Sequence, residues 1–167
     1  MTDIKLTSTE RLILANQYKI LSNIDNKYAT SYDAQIKIVE AGIEGMYQIL
    51  FENISESIFD KFATEETYQI LEMYRQLEPD LSNSKIPDAD KLKFEGFDGN
   101  NDKHYIIMSI LVIDMGLYAE YENFDFNSHS SYSLEMYRKL LAKSKILGIK
   151  YNQVTDEQIQ ELINCLA

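Results

Sequence analysis

Two histidines, His104 and His129, are the only imidazoles in the chain, and each stands near an acid, Asp102 and Asp125 respectively. Imidazole beside carboxylate serves either metal ligation or proton transfer. A zinc site takes at least three protein ligands, so His104 and His129 would have to converge with Asp98 or Asp125 where two polar connections meet. Lone histidines are more often held by hydrogen bonds, and neither a metal nor any other cofactor is expected. Asp98, Asn100 and Asp102 alternate like the first half of a calcium loop. The loop then fails, because Lys103 replaces the turn glycine and Ser109 the closing glutamate. The simpler expectation is a turn shaped by Gly96 and Gly99, with Asp98 or Asn100 capping the helix that follows.

Asp114 lies at helical spacing from Ile107, Leu111 and Tyr118, which predicts a buried carboxylate. Such a group has a raised pKa unless paired, the property of a general acid or base, although a tyrosine hydroxyl would equally satisfy it. The catalytic candidates are therefore Asp114, His104 and His129. Asn16 and Gln17 interrupt the apolar series Leu12, Ile13 and Ile20, where an amide must be satisfied by fixing the register of a neighbouring helix or by binding a ligand or a partner's backbone, register being the expected role. Arg75 and Arg138, each beside a tyrosine, can hold an anion or form helix-surface ion pairs. No phosphate-cradling glycine loop, GxSxG elbow or HExxH helix is present. The single cysteine, Cys165, has no histidine near it in sequence and no intramolecular disulfide partner, as expected of a reduced, cytoplasmic setting.

The elements that must position these groups are helices. Thr7-Ser8-Thr9-Glu10 fits a capping box and predicts a helix from Ser8 to Ile24. The chain restarts near Ser31, with Gly42 and Gly45 marking a break before Met46–Phe51. Thr64-Glu65-Glu66 opens a helix whose apolar residues Ile70, Leu71, Tyr74, Leu77 and Leu81 share a face. Residues 83–100 form a long polar connection in which Leu92-Lys93-Phe94 makes a short strand or pins the loop to the core. A buried helix is expected from about Asn101 to Tyr118, apolar around nearly its whole circumference. A basic helix from Ser133 or Leu134 to Leu147 ends at Gly148, and Thr155-Asp156-Glu157-Gln158 caps a last one reaching about Cys165. The expectation is an all-α single multihelical domain over residues 1–167, with six or seven helices.

Sixteen basic against twenty-seven acidic residues leave a net charge of −11, which repels phosphate backbones and argues against direct nucleic-acid binding. Eight acids crowd Glu52–Asp80, whereas Met136–Thr155 carries five basic residues and no acid. This asymmetry permits an internal contact or self-association, and otherwise reads as two solvated faces. No basic leader precedes an apolar run, and the longest apolar stretch, Tyr105–Ile113, falls short of the roughly 20 residues that cross a bilayer. No membrane role is expected.

Four stretches resemble the YfbU-like family of bacterial proteins: the first helix from Thr7 to Leu21, Thr67–Leu77, the loop Phe94–Asn100, and Asn127-Ser128-His129 leading into Tyr137–Leu141. The departures are Ser130-Ser131, where the family pattern has a proline, and the lack of a tryptophan after the basic helix. The resemblance implies a small, mainly helical cytosolic protein and brings no catalytic residues with it. The leading functional reading is a non-enzymatic interaction or regulatory module, working with a protein partner or as a homo-oligomer. A metal-dependent or acid–base hydrolase using His104, His129 and the nearby aspartates is the alternative. An acidic mimic of nucleic acid ranks last, since it leaves the basic region unexplained.

Overall fold

The computed structural model describes residues 4–54, 58–59 and 61–166. Among the described residues there are seven α-helices, besides short 3-10 turns and one π turn: α1 (Ser8–Ile24), α2 (Ala29–Ala41), α3 (Tyr47–Leu50), α4 (Lys61–Leu81), α5 (Lys103–Ser109), α6 (Ser133–Leu147) and α7 (Asp156–Asn164). No strand occurs among the described residues, and one isolated bridge joins Phe97 to Asn127. The chain groups into two compact units, Met1–Ile58 and Phe59–Ala167.

In the first unit Thr7 and Glu10 complete the capping box that starts α1: Thr7 Oγ1 accepts from the Glu10 N–H, while the Glu10 carboxylate accepts from the Thr7 N–H. After a turn at Asp25–Tyr28, α2 runs back antiparallel to α1. Ser22 donates to Asp33 at 2.9 Å, Lys19 pairs with Glu40 at 2.6 Å, and Arg11 donates to the Val39 carbonyl at 3.4 Å. Tyr18 and Tyr32 stack between them. Buried apolar residues are few here: Ala15, Ile38, Val39 and Tyr47.

The second unit holds a contiguous core. α4 contributes Ile70, Leu71, Tyr74 and Leu77, α6 contributes Tyr137 and Leu140, and α7 contributes Ile159 and Leu162. α4 begins at Lys61, three residues before the expected Thr64 start. The long connection is drawn inward by Leu92, Phe94 and Phe97, so Leu92-Lys93-Phe94 pins the loop and forms no strand. Tyr137 fixes this loop with its hydroxyl, which accepts from the Glu95 N–H at 3.1 Å and donates to the Gly96 carbonyl at 2.7 Å.

The expected buried helix over 101–118 is shorter and less buried than its composition suggests. After α5 the backbone widens into a π turn, Ile110–Asp114, in which the Met115 N–H reaches back five residues to the Ile110 carbonyl. That turn rotates the face: Leu111 and Val112 stay inside while Ile113 and Asp114 come out to solvent. Gly116, at φ +64°, then takes the chain out of helical geometry.

Candidate functional site

A buried group of ionisable side chains in the second unit centres on Glu66. α4 carries it on the same stripe as Ala63, Ile70 and Leu77, so it points into the interior and is buried. α6 brings Arg138 alongside, and the guanidinium closes on the carboxylate with two bonds of 2.8 Å, Nε to Oε1 and Nη2 to Oε2. From the first turn of α5, His104 sets Nε2 at 2.9 Å from Glu66 Oε2, and its ring stacks on Phe97 at 5.3 Å. His104 Nδ1 is buried with no hydrogen-bond partner among the described residues. The Arg138 hydrogen bonds hold the Glu66 carboxylate below its usual range against the opposing effect of burial. A carboxylate so neutralised is a weak base, and the arrangement acts as a clamp joining α4, α5 and α6. It lies on a cleft of about 330 Å3 whose other walls include Phe62, Gln69, Leu141 and Lys145.

A second acid on α4 behaves in the opposite way. Glu78 is partly buried, accepts from the Tyr121 hydroxyl at 3.2 Å, and is pushed above the ordinary carboxylate range by desolvation. It shares a cleft with Pro79, Ser82 and Tyr151. Arg75 lines the same cleft, where Glu120 takes it up in two bonds of 2.6 and 3.1 Å and its guanidinium lies 4.1 Å from the Tyr118 ring centre. Arg75 and Arg138 are thus both paired with carboxylates of the same chain.

The acidic and basic regions meet in part for this reason. Arg138 reaches Glu66, Lys145 donates to Gln69 at 2.6 Å, and the Val154 N–H donates to Asp80 at 2.9 Å. The expectation of two wholly solvated faces gives way to an internal contact along α4.

The other groups singled out in the sequence do not assemble into one centre. His104 is buried, whereas His129 is exposed. Asp125 is exposed too and accepts from the Asn127 N–H. Asp114, expected inside, is exposed because of the π turn. Asp98 is buried but caps no helix: it accepts from the Asn100 N–H at 2.9 Å and from Asn101 Nδ2 at 2.6 Å, and these bonds lower its pKa. Position 102 occupies the N-cap of α5. Among the described residues no three His, Cys, Asp or Glu side chains are grouped to hold a metal ion. Glu66 and Glu78 were missed in the sequence. For Glu66 the usable signal was an acid on the apolar stripe of its own helix.

Asn16 and Gln17 lie where a core was expected, and the structure corrects that. α1 packs on α2 through Arg11, Leu14, Ala15 and Tyr18, which leaves Ile13, Asn16 and Ile20 turned away from α2, with the exposed Leu12 at the edge of a cleft it shares with Val39 and Glu40. Leu12 is 62% exposed, Ile13 51%, Ile20 59% and Ile24 74%. Both amides are exposed among them, so they set no register within the unit.

No helix among the described residues is long and apolar enough to cross a membrane. The sequence matches the YfbU domain over residues 4–165. It is also similar to the UPF0304 protein MJECS11 of Methanocaldococcus jannaschii, 32% identical over 177 aligned positions that cover 96% of this chain and 98% of that protein. A match that runs through both units, with the helical elements and the pinned loop in place, makes this chain a member of the YfbU family.

Proposed function

We propose that the protein is a non-enzymatic interaction module of the cytoplasm, and that its working surface is the exposed stripe of α1. The observation that carries this reading is the stripe itself: four large aliphatic side chains, each more than half exposed, with two amides among them. Aliphatic side chains gain roughly 25 cal/mol per Å2 on leaving water, and contiguous exposed patches of this kind mark interaction sites. The pairing of Arg75 and Arg138 with internal carboxylates, and the separation of His104 from solvent, favour this reading over the hydrolase. One family match across both units supports treating residues 1–167 as one module. Affinity purification from the host's lysate tests the proposal. A protein retained in stoichiometric amount by the wild type and lost with Ile20→Glu is the expected outcome, and identical retention by both removes α1 as the working surface.

A further inference from the structure

A cleft of about 370 Å3 opens between α4 and the C-terminal half of α6, within the range of volumes that hold small molecules. Met73, Leu141 and Ile149 give it an apolar lining, and the amides Gln69 and Gln76 stand beside them with Glu72 and Lys145. Met73 is buried, whereas Gln69, Glu72 and Lys145 are exposed, so an apolar floor has a polar rim. The rest of the chain leaves three groups of this cleft short of a partner. Lys145 donates to the neutral Gln69 amide at 2.6 Å and makes no ion pair among the described residues. Arg138, Lys139 and Lys143, the other basic residues of α6, each have a carboxylate. Glu72 accepts from Gln76 Nε2 at 3.3 Å, and its one cation, Arg75 Nη1, is 3.9 Å away on a guanidinium already held by Glu120. Ser144 also lines the cleft and is 6% exposed, yet its hydroxyl is buried with no hydrogen-bond partner among the described residues. A buried hydroxyl left unpaired is costly, so this one calls for an acceptor or a donor from outside the chain.

We infer that this cleft binds a free α-amino acid with an apolar side chain. Gln69 and Glu72 are three residues apart on α4, which sets their Cβ atoms about 5–6 Å from each other. The Lys145 ammonium, bonded to Gln69, therefore stands about one helical turn from the Glu72 carboxylate without pairing with it. An α-amino acid carries a carboxylate for Lys145 and an ammonium for Glu72 on a single carbon, and the Ser144 hydroxyl gives that head a further hydrogen bond. Its side chain covers Met73, Leu141 and Ile149 and takes their apolar surface out of water. A simple anion would use Lys145 alone and a simple amine Glu72 alone. The site belongs to the second unit and is independent of the α1 surface.

Titration of the full chain with L-leucine, L-isoleucine and L-methionine, each to about 10 mM and followed in 1H–15N correlation spectra, tests the inference. At least one is expected to saturate, with the largest shifts at the amides of Met73, Ser144 and Ile149. Leucine's two one-charge analogues, 4-methylpentanoate and 3-methylbutylamine, should bind at least about tenfold more weakly than leucine, and Glu72→Gln and Lys145→Met should each weaken the amino acid by about tenfold. Ser144→Ala separates a binding role from a structural one: it should raise the melting temperature of the free protein, by removing an unpaired hydroxyl, while weakening the amino acid by about threefold or more. No shifts with any of the three amino acids, shifts that map away from α4 and α6, or affinities indifferent to the missing charges and to all three substitutions would overturn it.

Discussion

Removing the Arg138 guanidinium would leave the buried Glu66 carboxylate with His104 as its remaining hydrogen-bond partner. Half of the arginine side chain is open to water, which screens the pair, so Arg138→Ala should cost about 1–3 kcal/mol in urea unfolding at pH 7 and not the larger figure of a fully buried pair. The carboxyl sits below its ordinary value of 4.5, so its contribution is present above that value and disappears as pH falls through the lower folded-state one. The stability difference between wild type and Glu66→Gln should accordingly shrink in acid denaturation below pH 4.5. Glu78 has the opposite sign: raised in the folded state, it favours folding while protonated and opposes it once ionised. Glu78→Gln should raise the melting temperature at pH 7, and that advantage should vanish toward pH 4.5. Tyr137→Phe removes a hydroxyl that serves both the Glu95 N–H and the Gly96 carbonyl, and a loss of about 1–3 kcal/mol is expected from chemical denaturation.

At the scale of elements, the capping boxes of α1 and α7 were legible because their partners are three residues apart. Thr7 with Glu10 and Thr155 with Gln158 form as their spacing requires. The loop over 94–100 shows the limit of such local reading. Gly96 holds φ at +90°, and a Cβ there would stand 2.0 Å from the Phe126 carbonyl oxygen, an atom thirty residues away in sequence. Gly96→Ala should therefore cost more than about 2 kcal/mol, combining an unfavourable backbone angle with a clash that only main-chain movement relieves; a lowered denaturant midpoint with unchanged helicity would show it. The π turn after α5 was likewise illegible. One inserted residue rotates every side chain beyond it by about 100°, and that turned the expected buried Asp114 outward.

For the whole molecule, the division of apolar burial between the units has a direct consequence. Residues 59–167 contain the contiguous core from Ala63 to Leu162, and this fragment is expected to unfold cooperatively on its own in a circular dichroism melt. Residues 1–58 bury too little to do the same and should show at most partial, non-cooperative helicity.

Sequence alone determined what depends on near neighbours: the all-helical class, the capping boxes of α1 and α7, and membership in the YfbU family through ordered short stretches. Periodicity identified α4's core face because residues three and four apart share one side of a helix whatever surrounds it. It could not say which side of α1 meets α2, since Leu12, Ile13 and Ile20 compete with Leu14, Ala15 and Tyr18 for the inner face, and packing chose the second set. Pairing of Glu66 with Arg138 and His104, across separations of 72 and 38 residues, arises only when three helices converge, because nothing in the local chain of any one records the other two. The tertiary structure thus decided which charges are neutralised inside and which apolar surface is left exposed.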